Sequence, residues 1–113
     1  MTAARPLNEV KAELFKGLAH PLRIRILELL AADREIGVAQ LLAATGLEPS
    51  HLSQHLRVLR GYGLVTSQRR GSQVYYSLSH ASVGDLLTVA RTLLSDVLAA
   101  RRDEALDADA SQS

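Results

Sequence analysis

The sequence predicts a mainly α-helical fold that carries a single β-hairpin. Three observations lead there. Apolar residues recur at helical spacing over five separate stretches. Two short runs rich in Val, Thr and Tyr alternate around a glycine turn. Pro21, Pro49, Gly46 and Gly71 fall where such elements would start or stop. At 113 residues the chain suits one domain and is too short for two, and its 47% hydrophobic content is ordinary for a folded domain.

Residues 1–6 show no periodic pattern and read as a loose leader. Leu7, Val10, Leu14 and Leu18, with Phe15 alongside, then predict a first helix of about three turns. His20-Pro21 interrupts, and proline suits the first position of the next helix because its missing N–H would be unpaired there. That second helix, roughly 21–32, carries Leu22, Ile26, Leu27, Leu29 and Leu30; Asp33-Arg34-Glu35 breaks it. Residues 38–45 form a short third helix with Leu41 and Leu42 inward and Gly46 as its stop. Pro49 opens a fourth that runs to about Arg60. Strands are expected over 64–68 and 74–78, with residues 69–73 as the turn. A long last helix covers about 82–101, its stripe formed by Val83, Leu86, Leu87, Ala90, Leu93, Leu94, Val97 and Leu98. Residues 102–113, rich in Ala, Asp, Ser and Gln, read as a disordered tail, which leaves 7–101 as the structured unit. The order of helix, helix, helix, helix, hairpin, helix is that of a winged helix-turn-helix.

Composition narrows the function classes. No run approaches the roughly eighteen apolar residues of a membrane helix and no basic-then-apolar leader opens the chain, so neither a span nor export is expected. Absent cysteines exclude disulfides and thiolate metal sites, and the cytoplasm is the expected compartment. Net charge is only +1, but it is unevenly spread. Between Glu48 and Asp85 no acid occurs, whereas Arg57, Arg60, Arg69, Arg70, His51, His55 and His80 all do. Such a one-sided segment suits a polyanionic partner.

The fourth helix gives that partner a shape. At about 100° per residue, Leu52, Leu56 and Leu59 share one face, with Ser50, Gln54 and Arg57 roughly opposite and His51 and Ser53 on the flanks. Gln can bond in bidentate fashion to adenine, Ser can meet donor or acceptor edges, and Arg suits guanine or phosphate. Base contacts from the start of a recognition helix and backbone contacts further along are what a helix-turn-helix requires. The Arg69-Arg70 pair on the hairpin can lie along phosphates or enter a minor groove.

Three segments carry a family resemblance. FKGLAHPLRIRILELL (15–30) resembles the opening signature of the ArsR–SmtB family of bacterial winged-helix repressors; SHLSQHLRVLRGYGLV (50–65) resembles its recognition helix and following turn; RRGSQVYYSL (69–78) resembles its wing. The match covers about residues 8–100. It implies a homodimer built from the first and last helices, through Leu7, Val10, Leu14, Leu86, Ala90, Leu93 and Val97, bound to double-stranded DNA. It places Ser50, His51, Ser53 and Gln54 at base edges, and Arg57 with the wing residues Arg69, Arg70, Ser72 and Gln73 at the DNA backbone.

The family's metal-sensing patterns do not carry over. One group places cysteines at the start of the third helix, where this chain has Gly37, Val38 and Ala39. Another ligates metal between the last helices, at positions that match His80, Ser82, Leu93 and Asp96, and leucine cannot ligate. No metal and no cofactor are therefore expected, and any inducer would be a small molecule the sequence does not name. His51 and His55 sit four apart, a spacing that binds zinc when a third ligand comes near. The reading preferred is a DNA-facing His51, whose protonation would strengthen contacts to DNA, and a His55 hydrogen-bonded at the helix edge. His20 reads as structural, and His80 as a dimer contact or a weak site. Rival functions are a winged-helix protein-interaction module, which would want an apolar outer face on the fourth helix, and a metal-responsive sensor using histidine and carboxylate ligands. An enzyme is not expected, because no polar groups converge as a catalytic set.

Overall fold

The computed structural model describes residues 5–112. The elements run α1 (Leu7–Leu18), α2 (Pro21–Ala32), β1 (Ile36–Gly37), α3 (Val38–Thr45), α4 (Pro49–Gly61), β2 (Val65–Arg70), β3 (Gln73–Leu78) and α5 (Ala81–Gln112). α2 is the central helix. Ile26, Leu27 and Leu30 are buried to 2% exposure or less and meet Leu41 of α3, Leu52, Leu56 and Leu59 of α4, and Val83 of α5 in one core. No helix among the described residues is long and apolar enough to cross a membrane.

Three sequence expectations are corrected. The wing turn is shorter than the five residues expected: Arg69, Arg70 and Gln73 are in the strands, Arg70 pairs with Gln73, and only Gly71 and Ser72 remain outside. Gly71 has φ 64°, which lets a two-residue turn match the twist of the strands without steric cost. The sheet also has a third strand. Ile36 and Gly37 pair antiparallel with Tyr76 and Tyr75, giving the order β1-β3-β2; a two-residue strand is too short to leave a period in the sequence. Lastly, α5 does not stop at Arg101 but continues to Gln112. Ala105, Leu106, Ala108 and Ala110 are compatible with helix, and no Gly or Pro intervenes to end it. Residues 1–4 of the expected leader, and Ser113 of the expected tail, lie outside the described residues.

The connections are set by particular hydrogen bonds. Arg23 of α2 reaches back to α1, donating from Nε to the Gly17 carbonyl at 2.8 Å and from Nη2 to that of Lys16 at 3.1 Å, so a cation satisfies the carbonyls at the helix C-terminus. His20 caps α2: its Nδ1 accepts the Leu22 N–H at 3.1 Å. Between α3 and α4, Gly46 takes φ 69° and its N–H bonds the Leu42 carbonyl, while the Thr45 hydroxyl donates to Leu41 O and accepts from Leu47 N–H. This fixes the angle at which α4 leaves α3.

Among the described residues His55 has no hydrogen-bond partner at the helix edge, contrary to expectation. Its ring lies against that of His20, centroids 4.5 Å apart, which joins α4 to the cap of α2. Partial burial, then the charges of His20, Arg23 and His51, hold the His55 imidazole below its usual value near 6.5.

Tyr62, just after α4, closes over α1. A Cβ on the buried Gly17 would stand 2.7 Å from Tyr62 Cγ. Gly17→Ala should therefore cost about 1–2 kcal/mol in urea unfolding, overpacking outweighing the helix propensity gained. Adding Tyr62→Ala should remove that extra cost; an undiminished cost would mean that Tyr62 is not what the new methyl meets. The His55 shift has a definite sign. The unfolded chain takes up the proton first as pH falls, so the stability that neutral His55 contributes is full above about 6.5 and is lost below it. Between pH 7.5 and 5.5 the melting temperature should fall less steeply for His55→Gln than for the wild type, and equal slopes would refute the assignment.

Candidate nucleic-acid interface

Leu52, Leu56 and Leu59 are 1%, 3% and 0% exposed, so their face of α4 is committed to the core. Rotation by the helix period then leaves Ser50, His51, Ser53, Gln54 and Arg57 exposed together. The helix begins cleanly for this purpose. Glu48 precedes it in an extended conformation, Pro49 takes the first position, and the Glu48 carbonyl accepts from His51 N–H and Leu52 N–H at 3.0 and 3.1 Å. The positive end of the helix dipole thus coincides with the short polar side chains.

The register of the wing separates its residues by face. Residues directly opposite on paired strands share a side of the sheet. Val65, Ser67 and Arg69 lie on the side that contains the buried Val65, and their partners there are Leu78, Tyr76 and Val74. This side looks toward α4. Arg60 Nη1 donates to Ser67 Oγ at 3.4 Å, and Ser53, Arg57, Arg60, Gly61 and Tyr76 line an open groove of about 550 Å³ between helix and wing. Arg57, Arg60 and Arg69 form no ion pair among the described residues, so three cations stand along one edge without a carboxylate to neutralise them.

Arg70 differs. It shares the opposite side with Gln68, Tyr75 and Gln73. Its guanidinium sits 4.0 Å from the centroid of the Tyr75 ring and forms a bidentate pair with Glu35, Nη1 to Oε2 at 3.1 Å and Nη2 to Oε1. The arginine holds the Glu35 carboxyl below the ordinary carboxylate range, and Glu35 raises the guanidinium in turn. Ser72 and Gln73 are exposed at the tip.

The structure therefore gathers Ser50, His51, Ser53, Gln54 and Arg57 on one helix face with Arg69 on the wing, and sets Arg70 apart. Sequence reasoning did not include Arg60 or Tyr76 among the site residues. The three-residue step from Arg57 could have indicated Arg60, and alternation with Val74 and Leu78 could have indicated Tyr76. Nothing local could have indicated Glu35, which meets its partner across 35 positions of sequence.

Away from this face, the α5 stripe divides. Val83 is buried and Leu86 and Leu87 are half-buried against the chain's own body, whereas Ala90, Leu93, Leu94, Val97 and Leu98 are exposed, Leu93 at 61%. On α1, Leu7 and Val10 are exposed at 66% and 46% and Leu14 is half-buried. Among the described residues no three His, Asp or Glu side chains converge as a metal site would need.

Known proteins resemble this chain in sequence and fold. Residues 20–67 match the family model for bacterial regulatory proteins of the arsR family. An uncharacterized HTH-type transcriptional regulator of Mycobacterium tuberculosis, Rv0081, is 50% identical over 99 residues, covering 87% of this chain and 86% of the relative. Its crystal structure superposes with a TM-score of 0.79 at 49% identity, over 87% of this chain and 98% of that one. The transcriptional repressor PagR of Bacillus anthracis is 34% identical over 79 residues, 70% of this chain and 79% of PagR. The solution structure of a homodimeric winged helix-turn-helix DNA-binding domain from Mycobacterium bovis, Mb0332, has a TM-score of 0.74 at 29% identity, covering 86% of this chain and 94% of that one. With the motifs, the fold and the relatives in agreement, the chain belongs to the ArsR family of bacterial regulatory proteins.

Proposed function

We propose that the protein is a homodimeric, sequence-specific DNA-binding transcriptional repressor of the bacterial cytoplasm, with residues 7–101 as its DNA-binding and dimerisation unit. The observation that carries this reading is the outer face of α4, which is polar throughout, carries Arg57 and Arg60 along its groove, and has Arg69 on the side of the wing that faces it. A surface built to bind another protein would present apolar anchors there. Ser50, His51, Ser53 and Gln54 read base edges in a major groove, and Arg57 and Arg69, with Ser72 and Gln73 at the wing tip, hold the backbone.

One subunit spans a half-site. The exposed apolar residues of α1 and α5 supply the second half by pairing two copies, which sets two α4 helices about 34–36 Å apart, one turn of DNA. The dimer binds an inverted repeat that overlaps a promoter and excludes polymerase. Any small-molecule inducer would act by binding one dimer geometry more tightly than the other.

Two measurements test this. In salt titrations of binding to the DNA upstream of its own gene, Arg57→Ala and Arg69→Ala should each weaken binding to all sequences and flatten the slope of log K against log salt by about 1, while Gln54→Ala should lose about 1–3 kcal/mol of discrimination at particular base pairs. Equal loss across all operator variants for Gln54→Ala would contradict its role. Leu93→Asp should give a folded monomer by sedimentation, with specific binding reduced at least tenfold; a Leu93→Asp protein that remained dimeric would remove α5 from the interface.

A further inference from the structure

The two adjacent wing arginines are chemically alike, and the sequence gives no reason to treat them differently. The structure does. Arg69 is on the α4 side of the wing without a carboxylate partner among the described residues, and Arg70 is on the far side, its guanidinium engaged at once by the carboxylate of Glu35 and the ring of Tyr75. Resting on the reading of the wing as a DNA contact, we infer that Arg70 is not a DNA ligand but a positioning residue, which with Glu35 and Tyr75 fixes the wing to the segment between α2 and β1 so that Arg69 meets the phosphates.

Each member of the set is held by something else. Glu35 immediately precedes β1, whose Gly37 pairs with Tyr75. The Tyr75 ring also lies beside Gly37, where a Cβ would approach Cε1 to 3.4 Å. Arg70 is the last residue of β2 before the Gly71 turn. A bond from that point to Glu35 therefore fastens the far end of a two-stranded ribbon to its base, and such ribbons have little stability without support. The ion pair is bidentate, a geometry only arginine supplies. Its charge is also spent: a guanidinium paired with a carboxylate releases few counterions from DNA, whereas an unpaired one releases them fully.

The two roles give opposite results for Glu35→Gln. For a positioning residue, removing the carboxylate loosens the wing, and DNA affinity falls by about two- to fivefold, the scale of a partly exposed pair. For a DNA ligand, it frees Arg70, so affinity rises and the salt slope steepens. Three variants, Glu35→Gln, Arg70→Gln and Arg70→Lys, would be measured against wild type on the same upstream DNA across a salt series, with hydrogen exchange of residues 67–75 followed in the DNA-free protein. The inference expects all three to lose affinity alike, the Glu35→Gln, Arg70→Gln double variant to lose no more than either single, an unchanged salt slope, and faster exchange in the wing. Arg70→Lys is decisive, since a lysine replaces a phosphate contact but not a bidentate pair stacked on a ring. Affinity retained by Arg70→Lys, a slope flattened by Arg70→Gln, or tighter binding by Glu35→Gln would overturn it. Exchange unchanged in all three variants would overturn it also, and independently of any DNA: wild-type protein that bound no DNA specifically would defeat the proposed function while this readout still judged the strap.

Discussion

The rest of the molecule depends on the burial of Leu52, Leu56 and Leu59 against α2. Each of these side chains contributes on the order of 1.5–3 kcal/mol when removed from water, and together they fix the rotation of α4 about its own axis. Slipping that rotation by one residue would bury Ser53 or Arg57 and expose a leucine. The polar outer face is therefore the consequence of the inner one, and it inherits the rigidity of the core. The αL turn at Gly46 and the Thr45 hydroxyl bonds set the tilt that the leucines leave open.

The second constraint is incompleteness. α5 uses its first turns to close the core and then runs on with its apolar residues bare, a helix of 32 residues and about 48 Å. The radius of gyration, 18.5 Å, is well above the ~13 Å of a compact chain of this length. An exposed row of Leu93, Leu94, Val97 and Leu98 is costly for a lone subunit in water and is a ready interface for two. In the function proposed, dimerisation and DNA reading are thus divided between opposite parts of a small fold: α1 and α5 would provide the association, and α4 with the wing the recognition.

Electrostatics distinguishes neighbours that composition treats as equals. The stretch without acids between Glu48 and Asp85 counts seven basic or histidine side chains as a single positive segment. Folding brings Glu35 to one of them, leaves Arg57, Arg60 and Arg69 without an ion pair among the described residues, and sets the His55 ring at a tilt against that of His20 midway along α4. The field at the interface is set by those pairings rather than by the sum of charges.

The sequence alone determined the helices, the helix-turn-helix, the existence of the wing and the face of α4 that turns outward. These follow from periodicity, from Pro21, Pro49 and Gly46 at element ends, and from the separation of leucines and polar residues on a 3.6-residue repeat, all of which are local. The tertiary structure decided the rest. Strand β1 is too short to announce itself and exists because β3 offers it an edge. The wing tip tightens to Gly71-Ser72 because cross-strand pairing extends to Arg70 and Gln73. The opposite fates of Arg69 and Arg70, the groove formed with Arg60 and Tyr76, and the contact of His20 with His55 depend on distances between residues remote in sequence. No local pattern encodes such distances, because only the packed core brings the partners together.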